Sequence, residues 1–478
     1  MAWITVFATL AALIQLNIPY PFDDDTAYHF CVARLMRQHG LLYSFPWTPF
    51  SWQANHYADK ELLFHLLFVP FTGLDFVTAS RIVGTITGTG LLTALYLVMR
   101  SERVRLPGIW ALMPIASSVF LFRFALVRPH LLSITLAIVM AWALANNRLR
   151  PLACCSLLFP LAYVAFWQIP LILILAAESS RLLSGGRILW RPALTVASGA
   201  ITGVLLHPNS WNLLQLNWIH MTDILVVGAW GKHAAVELGS EFFPYSPAEW
   251  LRFLLLTALF AVTSLYYAWK ERYQSCIPLA YASATLLFAL LTMKSMRFLE
   301  YLVPFSVVAL AVATRSLRSR ILAPSLLACI VLYTLAFGTG PARALFSDQP
   351  RLDYVAPDTA RFFLERIPEG SQVFTCSWDY TGGLMLALPD RKFIVAADPT
   401  LFYLNDPARY ALWSRIAQLD PSVMTGTIRE TFKSRFVMCE NSLTYEHLFN
   451  TLSSDPTVTT LLVNSQWVLF DLGGPAFK

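Results

Sequence analysis

Three consecutive carboxylates and a nearby histidine make the segment Asp23-Asp24-Asp25-Thr26-Ala27-Tyr28-His29 the strongest candidate for chemistry. His29 follows Asp25 by four residues, so on a helix both side chains lie on one face. A carboxylate in this setting can act as a general base toward a hydroxyl acceptor or bind a divalent metal. The structural alternative is that Asp25 is the N-cap of a helix whose dipole the neighbouring acids stabilise. Both interpretations stay open at this point.

A few polar residues farther along the chain are candidates for binding a substrate. Arg128 and Arg297 lie near the ends of apolar segments, where a guanidinium group can clamp a phosphate. Each can instead extend to a membrane interface, and Arg297 can pair with Glu300 at i and i+3. His130 is either a site residue or a hydrogen-bonded helix-end residue, and Glu241 is either a site residue or an ordinary loop acid.

The composition requires a membrane environment for most of the chain. Of 478 residues, 56% are hydrophobic and 13% are charged, against roughly 25% charged residues in soluble domains. A soluble protein cannot cover that much apolar surface with polar groups, so the excess must face lipid. The net charge of +6 comes from short basic clusters between apolar runs. Such clusters are a topology signal and do not indicate nucleic-acid binding.

Apolar segments of nearly 20 residues recur along the chain and predict about eleven membrane-spanning helices. One long apolar run, 151–183, is divided near Trp167–Pro170. The predicted spans are 2–18, 76–99, 108–126, 130–146, 152–166, 168–183, 193–207, 251–269, 276–293, 298–314 and 321–338.

Basic residues identify the cytoplasmic face. Every second loop between the predicted spans is basic, and the positive-inside rule makes that face cytoplasmic. We therefore predict a multi-pass protein of the plasma (inner) membrane with a cytoplasmic N-terminus and a periplasmic or extracellular C-terminal domain. Histidines and acids of the membrane region, His233 and Glu237 among them, lie on the external side, which predicts an external working face. The five basic loops contain Arg100, Arg103 and Arg105; Arg148 and Arg150; Arg181, Arg187 and Arg191; Lys270 and Arg272; and Arg315, Arg318 and Arg320.

Two polar regions are predicted on the external side. The loop 19–75 contains amphipathic segments near 25–39 and 59–69, which are predicted to lie along the membrane surface. The segment from residue 345 onward alternates short strands with helices, which indicates an α/β domain. Within it, Cys376 and Cys439 are either buried strand residues or a disulfide formed in an oxidising compartment. The strands are predicted at 372–378, 392–397, 435–440, 458–463 and 467–471, and the helices at 379–387, 406–419 and 443–452.

The order of these motifs resembles the GT-C glycosyltransferases, which are multi-pass enzymes that use lipid-phosphate-linked sugar donors. An acidic motif directly after the first span, leading into an external loop with surface helices, is typical of that family. Asp23-x-Asp25-x-x-Tyr28-His29 is similar to the D-x-D-x-W-W-H stretch of many bacterial members. Three later stretches match theirs in order and spacing: His39-Gly40, Pro46-Trp47-Thr48-Pro49-Phe50-Ser51 and Asp59-Lys60-Glu61-Leu62-Leu63-Phe64-His65.

The resemblance extends more weakly along the rest of the chain. Trp167-Gln168 departs from it, because relatives often carry an N-x-H group there, and Asp24 has no counterpart in the acidic motif. The weaker matches are Arg128-Pro129-His130, Leu206-His207-Pro208-Asn209, the acidic loop from Glu237 to Trp250, Met296-Arg297-Phe298, Trp378-Asp379-Tyr380-Thr381-Gly382-Gly383 and Pro389-Asp390-Arg391-Lys392.

The resemblance implies both a fold and a reaction. The fold is a GT-C-like helical membrane domain, 1–340, followed by an external α/β domain, 345–478. The reaction transfers a sugar from a polyprenyl-phosphate donor to a glycan, lipid or protein acceptor at the external face. Asp25 is the implied catalytic carboxylate, and Asp23 and His29 tune it or help to hold a divalent metal such as Mg²⁺ or Mn²⁺. The implied substrate-binding residues, with the arginines on the donor phosphate, are Asp59, Lys60, Glu61, Arg128, His130, Glu241 and Arg297.

Two other classes of protein remain as alternatives. A transporter or flippase for lipid-linked sugars would share the fold and the phosphate-binding arginines. Transporters place polar residues near the middle of the membrane and often contain inverted repeats, and the sequence has neither feature. The second alternative is a non-catalytic scaffold of an envelope-assembly complex, for which the C-terminal domain would supply a binding surface.

The predicted orientation can be tested by cysteine labelling. A cysteine placed at His233, and one placed in the segment after residue 345, should react with a membrane-impermeant maleimide in intact cells, because both positions are predicted to be external. A cysteine at Arg103 is the matched control and should react only after the cells are opened. A cytoplasmic C-terminal segment would overturn the assignment of the working face.

Overall fold

The described part of the chain is mostly helical, with one five-stranded sheet near the C-terminus. A computed structural model describes residues 2–20, 23–227, 236, 239–317, 319–347, 355–396, 398–418 and 425–473. His233, Glu237 and Arg318, used in the topology prediction, lie outside the described residues.

Helices run through the chain as far as residue 345. Short 3-10 turns at Trp52–Ala54, Val69–Phe71, Ser240–Phe242, Met296–Phe298 and Arg315–Leu317 connect some of them, and π-helical turns lie at His220–Val227 and Trp250–Leu254. The helices are α1 (Ala2–Asn17), α2 (Asp24–His39), α3 (Leu62–Phe68), α4 (Phe76–Ser101), α5 (Pro107–Ala116), α6 (Ser118–Ala125), α7 (His130–Ala145), α8 (Leu149–Ala162), α9 (Gln168–Leu183), α10 (Trp190–Leu206), α11 (Ser210–Ile219), α12 (Pro247–Glu249), α13 (Leu255–Glu271), α14 (Ile277–Thr292), α15 (Leu299–Ala313), α16 (Leu322–Phe337) and α17 (Thr339–Leu345).

Each of the predicted spans contains a helix, and the chain is a multi-pass membrane protein. By length and composition, three helical stretches in the described residues are able to cross a membrane: Phe76–Ser101, Pro247–Glu271 and Met296–Ala313. Two bent helix pairs raise that number to five if each pair is one span. The remaining apolar helices are shorter, so the count of eleven spans stays a prediction.

Two of the predicted spans contain or end in a sharp bend that the sequence did not predict, and one long apolar run is broken in two. The apolar run 151–183 is divided as predicted, but the break lies at 163–167, just before the predicted Trp167–Pro170, because α8 ends at Ala162 and α9 begins at Gln168. The predicted span 108–126 is not one straight helix, since α5 and α6 meet at 90°. Pro114 lies inside α5, where proline removes a backbone donor and disfavours continuation of the helix, and Ser117 is extended at φ −81° and ψ 124°. α16 and α17 likewise meet at 81° after Gly338.

The chain divides into two compact units. The first unit comprises Met1–Pro19, Lys60–Met221 and Gly239–Asp348, and it contains the apolar helices. The second unit comprises Tyr20–Asp59, Thr222–Leu238 and Gln349–Lys478. The first part of the loop 19–75 therefore belongs to the same unit as the C-terminal segment.

Close helix contacts organise the first unit. α15 is its most buried helix, because every residue from Leu299 to Ala313 is buried. α10 packs on α8 through Gly199 and Gly203, where an added Cβ would lie 2.6 Å from the Ser156 side chain and 2.2 Å from the Leu157 carbonyl oxygen. Small residues four apart let two membrane helices approach in this way.

The sheet of the second unit has strand order β2-β1-β3-β5-β4. β1 pairs in parallel with β2 and β3, whereas β5 pairs antiparallel with β3 and β4. All five predicted strands and all three predicted helices of the α/β domain are confirmed. The elements are α18 (Pro357–Arg366), β1 (Gln372–Thr375), α19 (Thr381–Ala387), β2 (Lys392–Phe393), α20 (Pro399–Asn405), α21 (Pro407–Gln418), α22 (Thr425–Phe432), β3 (Phe436–Glu440), a 3-10 turn (Leu443–Tyr445), α23 (Glu446–Ser454), β4 (Thr459–Val463) and β5 (Trp467–Asp471).

Residues 20–59 pack on the C-terminal segment within the second unit. The buried Trp47 donates its indole N–H to the Pro389 carbonyl over 2.8 Å, and its own carbonyl accepts the Phe393 N–H over 2.7 Å. The Phe50 carbonyl accepts a hydrogen bond from the Asn405 amide over 2.9 Å. The Pro46–Ser51 motif thus attaches the first loop to the sheet, which the sequence did not indicate.

A disulfide links Cys376 to Cys439 in the second unit. Cys376 directly follows β1 and Cys439 lies on β3, and the two strands pair in parallel. The two cysteines were predicted to be either buried strand residues or a disulfide. They are both buried and bonded to each other.

This disulfide can be tested by alkylation. Cys376 and Cys439 should resist a maleimide in the unfolded chain until a reductant is added, because both thiols are bonded. Removing a cross-link that closes a loop of 63 residues should cost the C-terminal segment ~3 kcal/mol of stability in a C376S/C439S double variant. Cys276→Ser, which replaces a free cysteine, is the control. Reaction of either bonded thiol without reduction would contradict the assignment.

Candidate functional site

Three arginine side chains of the first unit meet at Glu241. One carboxylate oxygen, Oε2, lies 2.8 Å from Arg123 Nη1 and 3.9 Å from Arg128 Nη1. The other, Oε1, lies 3.0 Å from Arg297 Nη1. We refer to Arg123, Arg128, Arg297, Glu241 and Glu300 as the arginine cluster. Arg123 reaches Glu300 as well, over 3.4 Å.

Local structure brings these residues together from three parts of the chain. Arg123 lies in the last turn of α6, and Arg128 follows that helix before α7 begins. Arg297 lies in the 3-10 turn that leads into α15. Two hydrogen bonds hold the Glu241 loop against that turn: Ser295 Oγ donates to the Glu241 carbonyl over 3.0 Å, and the Met296 N–H donates to the Phe243 carbonyl over 2.9 Å.

The carboxyl group of Glu241 is ionised at neutral pH. Burial by itself would raise its pKa, but the guanidinium groups of Arg297, Arg123 and Arg128 hold the pKa well below its ordinary value. Three guanidinium groups therefore surround the ionised Glu241 carboxylate.

Two buried polar atoms beside the arginines lack a partner among the described residues. His130 Nε2 donates to the Arg123 carbonyl over 2.8 Å, which leaves Nδ1 without a hydrogen bond. Glu300 Oε2 also has no hydrogen-bond partner among the described residues, and Glu300 is only 3% exposed. Buried polar atoms without partners are uncommon, so each of these atoms can accept a hydrogen bond from a ligand or a water molecule.

Four of the predicted substrate-binding residues therefore come together: Arg128, His130 and Glu241 with Arg297. Arg297 pairs with Glu241 at 3.0 Å, and Glu300, three residues later, contacts Arg123 at 3.4 Å. Arg123 was missed by the sequence analysis. The signal was an arginine inside an apolar segment, since an ionisable residue in a membrane span is usually functional and paired.

The acidic motif lies at the start of α2 in the second unit. α2 begins at Asp24, and its N-cap is Asp23 in extended conformation, φ −133° and ψ 121°. The prediction that Asp25 is the N-cap is wrong, because the helix starts earlier and Asp25 lies in its first turn. Asp23 Oδ2 accepts the Thr26 hydroxyl over 3.1 Å. Asp25 is half-buried and His29, one turn farther on, is buried.

Asp24 has a structural partner that the sequence did not predict. Its Oδ1 accepts the backbone N–H of Gly383 over 2.8 Å, which joins α2 to α19. A Cβ at Gly382 would lie only 2.3 Å from the Asp24 carbonyl oxygen, so the helices approach too closely for any other residue there.

The other predicted site residues lie in the Asp59–His65 stretch of the first loop. Asp59 is buried and ends its segment of the second unit. Lys60 and Glu61 begin the next segment of the first unit, and their charged groups are 4.0 Å apart. The ligand atoms of Glu61 and His65, one helical turn apart, lie within 4.8 Å of each other. This pair could contribute to a metal site.

The two groups of residues support different steps of a reaction. The arginine cluster can bind an anion, because arginine forms strong charge-assisted hydrogen bonds with phosphate and carboxylate. The carboxylates of α2 can accept a proton or a metal ion. The convergence of Asp25 and His29 with Arg128 and Arg297 on one cavity stays a prediction.

No sequence-family model and no curated protein matches this chain. Solved structures do match. The archaeal oligosaccharyltransferase AglB from Archaeoglobus fulgidus, in complex with an inhibitory peptide and a dolichol-phosphate, is 14% identical at a TM-score of 0.54, over 92% of this chain and 69% of that one. Another structure of the oligosaccharyltransferase from A. fulgidus is a complex with Zn and sulfate, 16% identical at a TM-score of 0.54, over 91% and 68%.

Two further structures extend over almost the whole chain. ArnT from Cupriavidus metallidurans is 12% identical at a TM-score of 0.61, over 99% of both chains. The arabinofuranosyltransferase AftD from Mycobacteria is 15% identical at a TM-score of 0.55, over 99% of this chain and 42% of that one. At these identities the likeness concerns the fold, and it confirms the resemblance predicted from the motifs: this chain has the fold of the GT-C glycosyltransferases.

Proposed function

We propose that this chain is a membrane glycosyltransferase that moves a sugar from a polyprenyl-phosphate donor to a glycan, lipid or protein acceptor at the external face. The observation that carries the proposal is the convergence of Arg123, Arg128 and Arg297 on Glu241. A lipid phosphate at the membrane edge needs cationic partners, because buried charge is costly without them. The oligosaccharyltransferase relative that binds dolichol-phosphate supports a donor of this class.

The three arginines differ in how accessible they are to a donor. The side chain of Arg123 is 9% exposed and lies between two carboxylates, so its role is to position Glu241. The side chains of Arg128 and Arg297 are 21% and 32% exposed. These two are the proposed ligands of the donor phosphate, and Lys60, at 22%, is a third cation for the same role.

The proposed chemistry uses the carboxylates of α2. Asp25 takes the proton of the acceptor hydroxyl, and the acceptor oxygen forms a bond to the anomeric carbon of the sugar. The bond between that carbon and the phosphate oxygen breaks, and polyprenyl phosphate leaves with its charge neutralised by Arg128 and Arg297. Asp23 and His29 tune Asp25, or Asp23 joins it in holding Mg²⁺ or Mn²⁺, for which carboxylate oxygens are suitable ligands.

The same proposal places the second unit in the periplasm or outside the cell. Its Cys376–Cys439 disulfide supports this location, because structural disulfides persist in oxidising compartments. Asp59 and Glu61 are proposed to line the acceptor side of the site, and His130 to bind substrate through its free Nδ1.

Substitution of the acids tests the catalytic assignment. Asp25→Asn keeps the shape and removes the base, so it should lower release of polyprenyl phosphate by a factor of at least about 100. The measurement is mass spectrometry of that product, after proteoliposomes with purified protein are given a panel of polyprenyl-phosphate sugars and acceptors. Release of the lipid phosphate also separates transfer from transport, which leaves the donor intact.

Asp24→Asn is the matched control for this experiment. The asparagine side-chain oxygen still accepts the Gly383 N–H, so activity should stay within about threefold of the wild type. An essential Asp24 beside a dispensable Asp25 would show that the catalytic carboxylate has been assigned to the wrong residue.

Substitution of the arginines tests the phosphate site separately. Arg128→Ala and Arg297→Ala should each weaken binding of a short-chain polyprenyl phosphate by about tenfold or more, because each removes a charge-assisted hydrogen bond. Titration of the purified protein by calorimetry measures this. Arg272→Ala, which removes a guanidinium stacked on Trp269 at 4.1 Å, should leave the affinity unchanged. Wild-type affinity in both site variants would rule out the arginine cluster as the phosphate site.

A further inference from the structure

A carboxylate lies where an anionic donor would bind. Glu241 contacts both of the accessible arginines, at 3.0 Å from Arg297 and 3.9 Å from Arg128. Its own side chain is 20% exposed, so a ligand that reaches those arginines also meets the carboxylate. Glu300, at 3% exposed, contacts Arg123 behind them. Of the two acids, Glu241 is the one that a bound phosphate would face.

The position of Glu241 is built into the fold. The hydrogen bonds from Ser295 to the Glu241 carbonyl and from Met296 to the Phe243 carbonyl hold the loop on both sides of the carboxylate. The Arg297 guanidinium also lies over the Phe242 ring, at 5.3 Å from its centroid. A loop held at three points keeps its negative charge beside the arginines.

The charge of the cluster bears on which phosphate it accepts. The Glu241 carboxylate contacts all three guanidinium groups, so it lies among the positive charges that would attract a phosphate. A sugar linked to a lipid through one phosphate is a phosphodiester with one negative charge. A sugar linked through a diphosphate carries two, and the second charge has to be placed near Glu241.

We propose that Glu241 determines donor specificity by favouring a sugar linked through a single phosphate over one linked through a diphosphate. The inference rests on the proposed function and names its substrate class. An unfavourable contact with the wrong ligand is an effective source of selectivity. At the partly buried edge of a protein, two like charges ~5 Å apart repel strongly enough to change an affinity by more than about tenfold.

The experiment measures the ratio of two affinities. The probes are farnesyl methyl phosphate, with one charge, and farnesyl methyl diphosphate, with two; neither requires knowledge of the sugar. The full chain is purified in detergent, and each probe is titrated by calorimetry. The wild type should bind the phosphate probe at least as tightly as the diphosphate probe. In Glu241→Gln the ratio should shift toward the diphosphate by about tenfold or more, because the opposing charge is gone.

Two control variants make the result specific to this residue. Glu241→Asp keeps the charge and should keep the wild-type preference. Glu365→Gln, on the exposed side of α18, changes the net charge of the chain equally and should leave the ratio unchanged. A tighter wild-type affinity for the diphosphate probe overturns the inference even if Glu241→Gln does not fold.

The outcomes also separate this inference from the proposed function. If both probes bind and the ratio is the same in wild type and Glu241→Gln, Glu241 does not set specificity, while the phosphate site stands. If neither probe binds the wild type, the phosphate site itself is wrong, and the specificity inference fails with it.

Discussion

The pairing of Glu241 with three arginines is the interaction on which the first unit's site depends. Guanidinium groups beside a membrane are costly to bury, and a buried charge becomes tolerable when an opposite charge and hydrogen bonds accompany it. Glu241 and Glu300 supply those opposite charges. The same ion pairs fix geometry, because they join the end of α6 to the turn before α15 and to the 240–242 loop. The same ion pairs therefore neutralise the buried arginines and hold these segments in position.

The second unit has its own constraint, which is the attachment of the first loop to the sheet domain. Asp24 accepts a hydrogen bond from the backbone of α19. Trp47 hydrogen-bonds to Pro389, which precedes β2, and to Phe393, which lies in β2. The helix α2 therefore takes its position from residues more than 300 places later in the chain. In the proposed enzyme, the catalytic carboxylate Asp25 would be oriented by the C-terminal domain, and that domain would be part of the catalytic machinery.

The solved structures share the fold of this chain at low sequence identity. ArnT shares 12% of its residues with this chain over 99% of both chains. Apolar helices tolerate many substitutions as long as volume and pattern are kept, so a GT-C fold persists while sequence diverges. Function on a common fold is set by site residues. For this chain the proposed site residues are the arginine cluster and the acids of α2.

The sequence by itself determined the elements, because their signals are local. Apolar runs predicted the membrane helices, short buried runs predicted all five strands, and the order of motifs led to the GT-C fold. Residue type, position near the ends of apolar segments and the family resemblance also selected Arg128, His130, Glu241 and Arg297. The tertiary structure decided the partners. Arg123 and Glu241 are 118 residues apart, Cys376 and Cys439 are 63 apart, and Asp24 and Gly383 are 359 apart. Such contacts are made by packing of distant elements, which no local pattern encodes.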